Sequence, residues 1–214
     1  MPNQSGSVYG LTILSPILDD PHAKVSHDLQ IRMYLGGLKD ERSPFAKVSS
    51  THMARLAVLN DVVYVGMPAC EEHLRSQYLV FESNFDGSLD EYLEKMAVEI
   101  PEDVDAVWGH CVGYPGTKSI GAFQAYMKKC QITTTFYFAD VNDKTVNQTL
   151  RALQTQEAVG VFIENNQGKP AEELRQAFAA FLEALRAAPG PIPGSGLNSL
   201  GRLAAGMEGI TRHE

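Results

Sequence analysis

Two runs of alternating side chains commit this chain to a β-sheet. In Thr51–Leu59, His52, Ala54, Leu56 and Val58 fall on one side, and Met53, Arg55, Ala57 and Leu59 on the other. In Tyr78–Asn84, Leu79 and Phe81 oppose Val80 and Glu82. Successive strand residues point to opposite faces, so such runs divide their residues between two environments. Val8–Leu14 is a third, mostly apolar run that stops at Ser15-Pro16. Between these runs the spacing changes to that of helices.

Asp20-Pro21 predicts a helix start, followed by Val25, Leu29 and Met33 and stopped by Gly36-Gly37. Ser88 and Glu91 are spaced as a capping box, ahead of an apolar stripe of Leu89, Tyr92, Leu93, Met96 and Ile100. Pro101 ends that helix. Ser119 caps a second one, with Ile120, Phe123 and Met127 on one side. Gln131–Ala139, rich in Thr, Phe and Tyr, predicts a fourth strand. Thr145–Glu157 predicts a further helix, Val159–Ile163 a short strand, and Lys169-Pro170 opens a last helix through Leu174, Phe178, Phe181, Leu182 and Leu185. Val62–Val65 extends the second strand, and Gly66–Gln77 is a charged insertion.

The order is strand, helix, strand, strand, helix, helix, strand, helix. This is the split βαβ, or ferredoxin-like, arrangement with one extra helix: α+β, an antiparallel sheet with helices on one face. The domain runs over 1–188, and 189–214 is a Pro/Gly-rich linker and tail. The uncovered sheet face predicts self-association into a homodimer.

Three stretches carry a resemblance: His52-Met53-Ala54-Arg55-Leu56, Leu79 through Gly87 (Leu-Val-Phe-Glu-Ser-Asn-Phe-Asp-Gly) and Trp108-Gly109-His110-Cys111. Over about Val8–Leu153 the chain resembles uncharacterised bacterial proteins of the dimeric α/β-barrel superfamily. The resemblance implies a homodimer that binds a small apolar or aromatic molecule. It also implies oxidoreductase chemistry, either cofactor-free or haem-dependent.

Composition narrows the partners. The formal net charge of −8 supplies no basic stripe for nucleic acid. No apolar run reaches a membrane span and no secretory signal is visible, so the expectation is a cytoplasmic protein without a membrane partner. Three cysteines without Cys-x-x-Cys spacing fit a reduced compartment. No structural metal is expected: Glu71-Glu72-His73 are adjacent, and His22 and His27 are five apart. Cys-x-x-Cys-His, Walker A, G-x-G-x-x-G and H-E-x-x-H patterns do not occur.

The candidate site residues follow. Asp105–Gly116 holds the only Trp of the chain (Trp108) with His110, Cys111 and several glycines. His110 is read as an acid–base group or haem ligand, and His52 as a second catalytic histidine on a pocket wall. Arg55, Asn84, Trp108 and Cys111 are read as substrate-binding residues of a pocket between sheet and helices. The plainer alternatives are a strand-end His52, an Arg55–Glu82 cross-strand pair, an Asp86-Gly87 turn, and Trp108 as a core plug. Gly109-His110-Cys111-Val112-Gly113 also has the G-x-C-x-G form of a thiol-hydrolase elbow, although Pro115-Gly116 falls where its helix belongs. A non-catalytic binding or scaffolding subunit is the third reading. Gly196-Leu197-Asn198-Ser199-Leu200-Gly201-Arg202 is similar to the docking peptides that tether cargo to encapsulin-type shells.

Overall fold

The computed structural model describes residues 3–39, 43–62, 66–67 and 73–190. Among them are four strands: β1 (Gln4–Ser5), β2 (Val8–Pro16), β3 (Thr51–Leu59) and β4 (Tyr78–Asp86). There are six α-helices: α1 (His27–Gly37), α2 (Leu89–Glu99), α3 (Pro101–Trp108), α4 (Ile120–Cys130), α5 (Val146–Asn165) and α6 (Ala171–Ala187). The protein is α+β, with one antiparallel sheet in the order β1-β2-β4-β3. It divides into two compact units, Met1–Thr145 and Val146–Glu214. The Val62–Val65 extension, Cys70, Glu71-Glu72 and the tail with its docking-peptide pattern lie partly or wholly outside the described residues.

The alternation in β4 sets the core of the first unit. Leu79, Phe81 and Phe85 are fully buried, while Tyr78, Val80, Glu82, Asn84 and Asp86 are half-exposed. The buried row meets the helices through aromatic contacts. Phe85 stacks on Tyr92 of α2 with centroids 3.8 Å apart, and Phe81 meets Trp108 of α3 edge-on at 5.2 Å. Burying each large side chain stabilises the fold by about 1.5–3 kcal/mol. Ser83 is the polar member of the row, and its hydroxyl lies 2.8 Å from the Tyr92 hydroxyl. The capping box of α2 forms as the sequence predicts, Ser88 accepting from the Glu91 N–H and the Glu91 side chain from the Ser88 N–H.

Four local expectations are corrected. Gln131–Ala139 is not a strand. Gln131 bridges Ile13 and the Ile132 N–H donates to Thr12 O, but β1 takes the rest of that edge by pairing with Val8 and Tyr9. The displaced segment crosses the sheet instead, with Tyr137 against Gly10 and its hydroxyl donating to Asn84 Oδ1 at 3.2 Å.

Pro101 closes α2 but also opens α3, where its missing N–H costs nothing at a first-turn position. The first helix begins at His27, because Asp20 accepts from the His22 N–H in a turn. Its buried contact is therefore Ile31, and Val25, Leu29 and Met33 stay exposed. Finally, Val159–Ile163 continues α5 rather than forming a strand. The helical hydrogen-bond ladder overrides the local β preference of Val and Ile there.

Candidate functional site

The predicted site residues separate into two places. His52, Arg55 and Asn84 accompany the half-exposed row of the sheet. Arg55 stands opposite Glu82 in the ladder and forms an ion pair with it. A register shift between Thr51 and Met53 takes His52 out of step, and its Nε2 lies 2.8 Å from Asp86 Oδ1. His52 therefore does not share the row of Ala54, Leu56 and Val58. This surface is charged and internally paired. Beside it, Arg55, Ala57, Val58, Leu59 and Val80 line a hollow of 200 Å³.

Trp108, His110 and Cys111 belong to the other side of the molecule. Trp108 is completely buried against Phe81. It fills the space where a pocket between sheet and helices was expected, together with Leu93, Met96 and Phe123. Cys111 is 2 % exposed, and burial, with Cys130 nearby, pushes its thiol up to about 12. That is the reverse of thiolate activation. The stretch is tied to the end of β2: Cys111 bridges Ile17, Val112 N–H donates to Pro16 O, and Leu18 N–H donates to His110 O.

Asp105 fixes the glycine-rich connector that follows. It accepts from the Tyr114 hydroxyl at 2.6 Å, the Thr117 hydroxyl at 2.9 Å and the Thr117 N–H at 3.0 Å. Gly113 and Gly116, with φ of 73° and 83°, supply the left-handed turns this path requires.

The chemistry-bearing contact of the first unit is between His110 and His27. Their Nδ1 atoms are 2.9 Å apart. One ring must carry its hydrogen on Nδ1 and the other must present a lone pair, so the pair shares a single proton in that contact. Burial first, and the His27 charge second, lower the His110 pKa below its ordinary value of 6.5. His27 opens α1 and forms part of a cleft of 530 Å³, with Asp19, Asp20, Asp28, Asn60 and Arg75 among its walls. Asp61 shapes the adjoining loop, accepting from the N–H groups of Val62 and Leu74 and pairing with His73. Those contacts, the His73 one foremost, lower the Asp61 pKa to about 2.

Sequence reasoning missed His27 and Asp105. His27 lies 83 residues from His110, and only the turn after β2 brings them together. The one local signal was a histidine directly after Ser26 at a helix start. Among the described residues no group of three or more His, Cys, Asp or Glu is placed to hold a metal ion. Haem does not fit either: it needs a deep apolar slot beside a free imidazole nitrogen. Among the described residues the interior of the first unit is packed with side chains, and the cleft walls are polar and acidic.

No family model matches the chain, and neither a curated protein nor a solved structure does. No helix of the described residues is long and apolar enough to cross a membrane.

Proposed function

We propose that the protein binds a small polar molecule in the cleft beside His27 and transfers a proton through the His27–His110 pair. The observation that carries this reading is the 2.9 Å contact between the two Nδ1 atoms at the wall of a 530 Å³ cleft. His27 meets the ligand, and His110 stands behind it and sets its tautomer. The carboxylates of Asp19, Asp20 and Asp28 and the guanidinium of Arg75 favour a ligand with polar or charged groups over the aromatic one implied by the resemblance.

The strand-helix-strand-strand-helix order from β2 to α2 supports kinship with the ferredoxin-like dimeric α/β-barrel proteins. Cofactor-free oxidation also begins with removal of a proton from substrate, so an oxidoreductase with dioxygen as oxidant lies within this reading. The thiol-hydrolase alternative draws no support from a buried Cys111 with a raised pKa.

The test is a thermal-shift panel of amines, amino acids, hydroxy acids and nucleosides on the full chain. Binders are expected whose shift disappears in His27→Ala. Exchange of a ligand C–H for deuterium in heavy water is expected to slow at least tenfold in His110→Gln. Binders that stabilise His27→Ala equally, or a panel with no binder, overturn the proposal.

A further inference from the structure

Both ends of one loop close on a single residue. Between β2 and α1, Leu18 N–H donates to His110 O at 2.9 Å, and His27 Nδ1 lies 2.9 Å from His110 Nδ1. His110 thus holds residue 18 with its backbone and residue 27 with its ring. The residues between, 19–26, are exposed apart from a half-buried Ala23. Among the described residues their hydrogen bonds stay local. Asp20 accepts from the N–H groups of His22 and Ala23, and Gln30 donates to the carbonyls of Val25 and Ser26. Asp19, Asp20 and Ser26 of this loop stand in the wall of the 530 Å³ cleft.

The ring end of this closure has room for one hydrogen. The two ring centroids are 5.2 Å apart. The excess over the nitrogen–nitrogen distance is the length of the two rings' own radii, so the Nδ1 atoms point at each other along one line. With at least one ring neutral, a single hydrogen sits between them as a bond. With both rings protonated, each Nδ1 carries a hydrogen and each ring a charge, and the contact turns repulsive.

We infer that His110 is a pH-sensitive clasp that holds the 19–26 loop in the cleft wall near neutral pH and releases its His27 end when both rings are protonated. Burial first, and the charge of His27 second, lower the His110 pKa, so the clasp is closed above about pH 6.5 and opens as the pH falls through the lowered value. The release is local, because α1 is held further along. Ile31 is buried, Arg32 donates to Val58 O at 3.2 Å and to Asn60 Oδ1 at 2.8 Å, and the Tyr34 hydroxyl donates to Asp103.

The other charged groups around the pair are few. The loop brings Asp19 and Asp20, with exposed His22 and Lys24 beside them. Helix α1 brings Asp28, 3.9 Å from Arg32, and the segment ahead of β4 brings Arg75. Asp61 is paired with His73. From α3, Asp103 accepts from Tyr34 and Asp105 from Tyr114 and Thr117, so both are engaged elsewhere. On the His110 side the next residue is the buried Cys111.

Backbone ¹⁵N relaxation of the full chain, without ligand, tests the clasp at about pH 7.5 and about pH 5.5. Order parameters of 19–26 are expected to fall from about 0.85 toward about 0.6 on acidification, while those of β4 stay constant. Glutamine hydrogen-bonds without titrating in this range, so His27→Gln and His110→Gln are each expected to abolish the pH dependence of the loop. Should either variant fail to fold, the wild-type chain decides: the loop is expected to loosen along the titration of the His27 and His110 ring resonances and not along that of His22. A loop with the same order at both pH values overturns the inference. So does a pH response that either folded variant retains, or one that follows His22. The measurement contains no ligand, so it reads the clasp separately from the proposed binding and proton transfer.

Discussion

His110 connects stability to pH with a definite sign. A histidine whose folded pKa lies below the ordinary 6.5 binds its proton more weakly folded than unfolded. The stability it contributes is complete above about pH 6.5 and is lost as the pH falls through the lowered value. The thermal midpoint is expected to drop as the pH falls below about 6.5. The drop should shrink in His110→Gln, and an unchanged profile in that variant refutes the assignment. Cys111 makes a second residue-level prediction. With its pKa raised to about 12, it carries on the order of a thousandfold less thiolate than a free cysteine near pH 8. Iodoacetamide should leave the Cys111 peptide unlabelled in the native chain and label it in urea. The sequence marked both residues as reactive types but not their states, because neighbours distant in the chain determine those states. Partial burial and a partner 83 residues away decide His110, and core packing decides Cys111.

The elements divide along the same line. Those governed by local chemistry were legible. The Ser88–Glu91 capping box formed, and the β3 and β4 alternation became a sheet with one buried row. Ser88→Ala is expected to cost about 1 kcal/mol in denaturant unfolding. The elements decided by competition were not legible. Gln131–Ala139 has the composition of a strand, yet the two residues of β1 hold the edge it would need. Tyr137 then packs where Gly10 has no side chain, and a Cβ at that position would lie 2.6 Å from the ring. Gly10→Ala is expected to destabilise the chain by about 1–3 kcal/mol, as overpacking does. The double variant Gly10→Ala, Tyr137→Ser should recover most of that loss. Equal destabilisation in the single and double variants would place the cost in the strand backbone instead of the ring contact.

At the scale of the molecule, the chain joins two units with unequal means of holding together. The first is built on a continuous core that includes Ile13, Phe81, Phe85, Leu93, Met96, Trp108 and Phe123. The second has three buried residues among those described, and one of them is Gln154. Local stability follows the density of buried apolar contacts, so the units should not open with equal ease. Amides of β2 and β4 are expected to exchange only through global unfolding. Those of α5 and α6 should exchange through a lower-energy opening. Native-state exchange read by mass spectrometry over a series of denaturant concentrations checks this. Protection in α5 and α6 equal to that of β4 would refute the difference in stability expected from the two cores.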